Sequence, residues 1–160
     1  MAYTMKVDGM EHLSKMLTEL GDKAQGVASI GLYDGAGVMA DGMKASAESI
    51  HTAPFHYAVF ITREPSPEEK AAVLQARMGI AKFDKNGSEV NTSVGYQNSG
   101  YAEVAGKVKP IPQIVNSINS GTSFMQKQPF VRNAVNKGKT QASAAIIARC
   151  EEEFNRLINS

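Results

Sequence analysis

From Pro129 onward, apolar and small residues recur at three- and four-residue steps: Val131, Ala134, Val135, Gly138, Ala142, Ala145, Ile146, Cys150, Phe154, Leu157 and Ile158. That is the period of a helix with one buried face, and it is the clearest such stripe in the chain. Pro129 suits the first turn of this helix, because its missing N–H would be unpaired there anyway and its φ is already near helical. The preceding residues, Gly121-Thr122-Ser123-Phe124-Met125-Gln126-Lys127-Gln128, form a turn and a short polar segment. The whole stretch from Gly121 to Val135 therefore predicts a hinge between an extended element and a terminal helix.

Towards the N-terminus, residues 3–7 read as a short extended lead. Leu13, Met16, Leu17 and Leu20 then predict a helix over about Met10 to Leu20, capped by Asp8 or Gly9. A second helix is expected from about Lys23 to Ser49, although Val27, Ile30, Val38, Ala45 and Ala47 follow no tight stripe. Gly26, Gly31, Gly35, Gly37 and Gly42 each weaken it by about 1 kcal/mol relative to Ala. Glycines without proline suit a close approach by another element; the alternative is a break at Gly35-Ala36-Gly37. His51-Thr52-Ala53-Pro54 ends the helix, since the residue before a proline is pushed out of the α region.

Phe55 to Ile61 has the composition of a strand. Ser66, Pro67 and Glu69 form a capping box with proline at the first helical position, starting a helix that carries Ala72, Val73, Ala76 and Ile80 inward and ends near Phe83. Asp84 to Gly87 reads as a turn, and Val90 to Tyr96 as one strand with Val90, Thr92, Val94 and Tyr96 on a single face. Gly100, Gly106 and Pro110-Ile111-Pro112 interrupt the next stretch, which predicts an exposed hairpin or loop with a short strand within Tyr101 to Val108. For Ile114 to Ile118 the pattern leaves a strand and a short helical turn equally open. The order of elements predicts an α+β fold, a small antiparallel sheet packed against a long N-terminal helix and a C-terminal amphipathic helix. At 160 residues the chain is expected to form a single domain over 1–160.

Composition narrows the function classes. Hydrophobic residues make up 42% of the chain, too many for a disordered one, and 17 basic against 16 acidic residues supply no field for steering nucleic acid or a lipid surface. Eight methionines suit irregular core gaps. No signal peptide is read at the start and no apolar run approaches a bilayer span, so the chain is expected to be cytosolic when made.

Candidate chemistry is sparse. His12, His51 and His56 lack the spacing of zinc ligands, and Cys150 has no second cysteine to join it. Cys150 sits in the helix stripe before Glu151-Glu152-Glu153, a setting that raises a thiol pKa and reads as a small buried hydrophobe. Asp34 and Asp41 share a helix, but solvated charge suits them better than acid–base work. Neither Gly35-Ala36-Gly37 nor the run from Gly95 to Gly100 is followed by the Gly-Lys-Ser/Thr of a phosphate loop. Lys107, Lys109, Lys127, Arg132, Lys137 and Lys139 give the C-terminal half a mild basic tinge, and Tyr96 and Tyr101 offer rings for stacking; a solvated surface accounts for both. No enzyme activity, cofactor or metal is expected.

The Gly121-Thr122-Ser123 turn followed by Pro129-Phe130 at the entry to the last helix resembles the signature of the HK97 gp10-like family of phage head–tail connector or tail completion proteins. Ala53-Pro54 matches an Ala-Pro pair that follows the long helix in that family, whose members open with a short helix and then a long one. The Asp-Thr-Gly-x-Leu continuation of many members is missing here, and residues 55–112 read as a variable insert. The resemblance implies a non-enzymatic virion protein that completes the tail end at the head–tail junction so that heads and tails join. Head closure, the tail tube, or a small nucleic-acid-binding module are the alternatives. It further implies a homo-oligomeric ring, with six copies as the expected number, made in the host cytoplasm and carried in the virion. Its partners would be neck and tail-tube proteins, with backbone-only contact to passing DNA and none to a membrane. Loops that order as neighbours arrive would form the contacts, placed here at 97–112 and 119–128. Tyr101, Lys107, Lys109, Thr122, Phe124, Met125 and Lys127 are the expected interface residues. For Phe124 a place in the chain's own core stays open. Phe130, Val131, Ala134 and Val135 are the expected core of the signature.

Overall fold

Two long helices carry the architecture. Helix α1 runs over Asp22–Glu48 without a break at Gly35-Ala36-Gly37, and helix α4 over Phe130–Ile158. The computed structural model describes residues 2–4, 22–54, 62–86, 89–96 and 100–159. The expected helix over Met10 to Leu20 and the expected strand over Phe55 to Ile61 lie outside the described residues, as do His12 and His56.

Between the long helices come α2 (Pro67–Gln75), α3 (Ile111–Ser120) and a set of short strands. Strands β1 (Ala2–Thr4), β5 (Ser93–Gly95) and β2 (Gly79–Ile80) form one sheet, in that order. Strand β3 (Asp84–Asn86) pairs antiparallel with β4 (Glu89–Asn91), and β6 (Tyr101–Val104) with β7 (Lys107–Pro110). The fold is α+β, as the element order predicts.

Several boundaries differ from the sequence pattern, each for a local reason. Helix α2 keeps its predicted cap: Ser66 Oγ accepts the Glu69 N–H at 3.2 Å while the Glu69 carboxylate accepts the Ser66 N–H at 2.9 Å. It stops at Gln75 rather than near Phe83, with Ala76 already extended, and Ile80 is used in strand β2. Asp84 to Asn86 is a strand rather than a turn, in register with Glu89 to Asn91. The run from Val90 to Tyr96 is split between two sheets, and at the break the Thr92 hydroxyl donates to the Ala81 carbonyl at 2.8 Å. Ile114 to Ile118 belongs to α3, whose buried residues Ile111, Ile114, Val115 and Ile118 recur at helical spacing. Pro129 sits one residue before α4 and its carbonyl accepts the first intrahelical bond, from Asn133 N–H at 2.9 Å, so it occupies the cap rather than the first turn.

The described residues belong to two compact units, 1–2 with 41–79 and 95–137, and 3–40 with 80–94 and 138–160. In the first unit the apolar core gathers Met43, Val73, Tyr96, Val104, Val115, Ile118 and Val131, all at most 2% exposed. The C-terminal carbonyls of α1 have no basic residue in their own last turn. Lys70 supplies the charge instead, its Nζ donating to the carbonyls of Glu48 at 2.7 Å and Ile50 at 2.8 Å.

The second unit is a helix-on-helix contact. Ala24, Val27, Ala28 and Leu32 of α1 bury against Ile146 and Cys150 of α4, with Phe83, Val90 and Leu157 packed at the margin. Here the close approach suggested by the glycine-rich run is real. A methyl group at Gly31 would overlap the Cys150 sulfur and lie 3.0 Å from the Ile146 carbonyl oxygen. At Gly35 it would overlap Ile146 and lie 3.2 Å from the Ala142 carbonyl oxygen. Cys150 is 1% exposed, and burial first, then the Asp34 and Glu151 charges, push its thiol pKa up, as expected of a structural cysteine. Asp34 is a surface partner of Arg149, Oδ2 to Nε 3.4 Å, beside the Arg149 to Glu152 bond of 2.7 Å.

Candidate functional site

The stretch from Gly121 to Phe130 is tied down residue by residue, all within the first compact unit. Gly121 closes α3 at φ 76°, where its N–H donates to the Ser117 carbonyl at 2.9 Å. A side chain there would be strained by that φ and would also press on the Lys127 backbone at 3.2 Å. Thr122 then folds the turn: its Oγ1 accepts the N–H groups of Phe124 at 3.2 Å and Met125 at 3.0 Å. Its backbone exchanges two further bonds with Met125, at 3.0 and 3.3 Å.

A second segment clamps the turn from the side. Arg63 N–H donates to the Phe124 carbonyl at 2.9 Å, and the Arg63 carbonyl accepts Gln126 N–H at 2.8 Å, a single parallel bridge centred on Met125. The Arg63 guanidinium is itself held by a two-pronged bond to Glu69, at 2.6 and 2.7 Å, and by the Glu64 carbonyl at 3.0 Å. Glu69 is 2% exposed. Burial pushes its carboxyl pKa up, but the Arg63 hydrogen bonds, the Ser66 N–H and the charges of Arg63 and Lys109 outweigh it, leaving the group below its ordinary value.

The exit into α4 is closed the same way. Gln128 N–H donates to the Ile118 carbonyl at 2.8 Å, and the Gln128 side-chain amide bonds both the N–H and the carbonyl of His51, at 2.8 and 2.9 Å. Asn119, at the end of α3, accepts the Val131 N–H through Oδ1 at 3.1 Å and so caps α4 from another helix. The Ser46 hydroxyl donates to the Phe130 carbonyl at 2.7 Å. The Phe130 ring, 3% exposed, meets Tyr96 edge to face with centroids 6.4 Å apart.

These contacts sort the expected interface residues. Phe124 is 71% exposed, while its backbone N–H and carbonyl are both engaged. It is a surface residue, which decides against a place in the core. Thr122 and Lys127 are also exposed. Met125 is corrected: it is 5% exposed, drawn inward by the Arg63 bridge, and packs in its own unit instead of facing a partner. Tyr101, 72% exposed, shares the outer face of the β6–β7 ribbon with Glu103, Val108 and Pro110. Lys107 and Lys109 pair with Val104 and Ala102 on the opposite face. Lys109 is half-buried and its charge acts on Glu69, so it serves the fold as well as the surface. In the signature core Phe130, Val131 and Ala134 are buried and Val135 is half-buried.

Beside the loop lies an open cleft of about 390 Å³, lined by Ile50, His51, Glu64, Lys127, Pro129 and Asn133 among others. Among the described residues no group of three or more His, Cys, Asp or Glu is placed to hold a metal ion, and no helix is long and apolar enough to cross a membrane. The residues that hold the loop, Arg63, Asn119 and Gln128, were not marked by the sequence pattern. The capping box gave Ser66 and Glu69, but the partner on the far side of that carboxylate has no local signature. Comparison of the chain with protein-family models, with curated proteins and with solved structures gives no match.

Proposed function

We propose that this chain is a non-enzymatic structural protein of a tailed phage or prophage, completing the tail end at the head–tail junction so that heads and tails join. The reading rests on the resemblance carried by Gly121-Thr122-Ser123 and Pro129-Phe130. The observation that supports it most is the way the loop is held: an aromatic side chain stands 71% exposed on a backbone already fixed by hydrogen bonds. Large aromatics on pre-ordered backbone make efficient anchors, because little entropy remains to be lost when a partner docks. In this reading Phe124 is the anchor, Thr122 and Lys127 flank it, and neck or tail-tube proteins are the partners of a homo-oligomeric ring.

Electron microscopy of lysates from a phage lacking the gene tests the role. The expected result is DNA-filled heads beside separate tails, joined when purified protein is added back. Phe124→Ala protein, folded as judged by its thermal transition, should fail to join them. Intact infectious particles without the protein would overturn the reading. Long cylinders grown from the purified chain would replace it with a tail-tube role.

A further inference from the structure

The near-balance of charge over the whole chain hides a segregation. Residues 104–150 carry seven Lys or Arg and no Asp or Glu; every acidic residue lies before them or at Glu151-Glu152-Glu153. Two of the seven serve the fold: the Lys109 charge acts on Glu69, and Arg149 pairs with Asp34, Glu152 and Glu153. Lys127, Arg132 and Lys137 are exposed and make no ion pair among the described residues. At roughly 100° per residue, Arg132, Asn136, Thr140, Asn133 and Lys137 fall in that order across one arc of α4, roughly 140° wide. The arc lies opposite the buried stripe of Val131, Ala134 and Ala142, and all five of its residues are exposed. Lys127 lines the same cleft as Asn133 and brings a third cation to the edge of the arc; the acid lining that cleft is Glu64. Beyond Gln141 the same face changes character and carries Ala144, Ile147 and Glu151.

We propose that this arc of α4, together with Lys127, binds the phosphate backbone of duplex DNA without regard to its sequence. The composition selects the partner. An acid-free face of Lys, Arg, Asn and Thr supplies the donors that phosphate oxygens accept. A protein partner or a bilayer would need apolar side chains at the centre of the contact, and the arc has none. The spacing fits as well. Arg132 and Lys137 stand about 7.5 Å apart along the helix axis, close to the roughly 6.8 Å that two steps of one strand advance along the duplex. Contacts of this kind hold the backbone and carry no sequence information. The inference draws on charge and spacing alone and does not rest on the virion role.

Fluorescence anisotropy of a labelled duplex of mixed sequence, titrated with the full chain at several salt concentrations, tests it. Three neutralised phosphates predict a slope of about −2.7 for log affinity against log salt, or about 40-fold weaker binding at roughly 200 mM than at roughly 50 mM. A second duplex of unrelated sequence should bind equally well. Lys127→Gln, Arg132→Gln and Lys137→Gln should each flatten the slope by about 0.9, and Glu64→Gln should tighten binding. The three cation variants should keep the parent thermal midpoint, since these side chains are exposed and outside the ion pairs of the fold. Lys85→Gln, on exposed β3, is the control and should leave binding unchanged. No binding at low salt, or a slope indifferent to Arg132→Gln and Lys137→Gln, overturns the proposal. Retention on vesicles of anionic lipid without binding to the duplex overturns it in favour of a membrane surface. Loss of DNA binding in a variant that still joins heads to tails would support the proposal and show it to be separate from the virion role.

Discussion

The two compact units are held together by different chemistry. The unit containing the signature loop is joined by polar contacts reaching across the sequence: Arg63 to Glu69, Lys70 to the end of α1, Gln128 to His51, Asn119 to the start of α4. The unit built from the first half of α1 and the second half of α4 relies on apolar closeness, with glycine on one helix and Ile146 and Cys150 on the other. A polar joint fixes direction, because each bond has a donor, an acceptor and an angle. A glycine seam fixes distance, because dispersion falls off within a fraction of an ångström. The first fixes the path of a loop backbone; the second suits a rigid strut. Substitutions should therefore fail differently in the two units.

The largest effect is expected at Arg63. Arg63→Met removes the guanidinium bonded to the Glu69 carboxylate, which is 2% exposed, and breaking one side of a buried pair costs about 3–5 kcal/mol. The pH dependence should change sign as well. In the parent protein the Glu69 pKa lies below its ordinary 4.5, so its contribution is complete above that pH and is lost as pH falls through the folded value. Without Arg63, burial is left as the main influence and the carboxyl is protonated more readily in the fold than in the open chain. The stability gap between variant and parent should then narrow as pH falls from 7 towards 4, as read by urea titration at each pH. A gap that stays constant would mean that the pair does not control the joint.

Gly31→Leu probes the other unit and should cost less. Overpacking a tight seam costs about 1–3 kcal/mol, partly offset by about 0.8 kcal/mol of regained helix propensity. Gly26→Ala is the control: its methyl meets nothing within 4 Å among the described residues, and the helix should gain about 1 kcal/mol. Thermal unfolding of the two proteins should move in opposite directions. If both rise, α4 slides away easily and the seam is soft.

How much of this was legible beforehand follows from the same contrast. The stripe of α4, the extent of α1, the cap of α2 and the hairpin over 101–110 are local patterns, set by spacing or by turn residues within a few positions. The glycine run even predicted a close neighbour, though not that it would be α4, or that Gly31 and Gly35 would be the ones to meet it. What escaped was set by distant partners. Thr92 splits a strand because it bonds Ala81, and Ile80 leaves its helix because a strand edge takes it. Met125 turns inward because Arg63, sixty-two positions earlier, pairs with its backbone. A sequence read alone gives the exposed aromatic and the buried methionine beside it the same chance of meeting a partner.

Tyr96 offers a smaller test inside the polar unit. It is 1% exposed and its hydroxyl has no hydrogen-bond partner among the described residues. Burial pushes its pKa up to about 12. A buried hydroxyl left unpaired is a liability, so Tyr96→Phe should gain about 1 kcal/mol while keeping the edge-to-face contact with Phe130. An equal loss in urea titration would reveal a partner for the hydroxyl, such as a bound water.

The smallest effect is expected at the tip of the β6–β7 hairpin, where the chain has accepted a local strain. Ala105 and Gly106 both have positive φ, 51° and 71°, the two-residue turn whose twist matches that of paired strands. Glycine takes that conformation freely, but for alanine the left-handed region brings its Cβ against the carbonyl oxygen and costs about 1 kcal/mol. Asparagine tolerates it far better, and Asn-Gly is the favoured pair in this turn. Ala105→Asn should therefore raise stability by about 0.5 kcal/mol. It should also slow hydrogen exchange at the amides that pair Val104 with Lys107 and Ala102 with Lys109. Because the exposed face of this ribbon carries Tyr101 and Val108, the same variant also tests the proposed role: a stiffer hairpin that leaves the proposed head–tail joining unchanged would favour the Phe124 loop alone as the proposed contact. A change in joining would bring the ribbon into the interface with it.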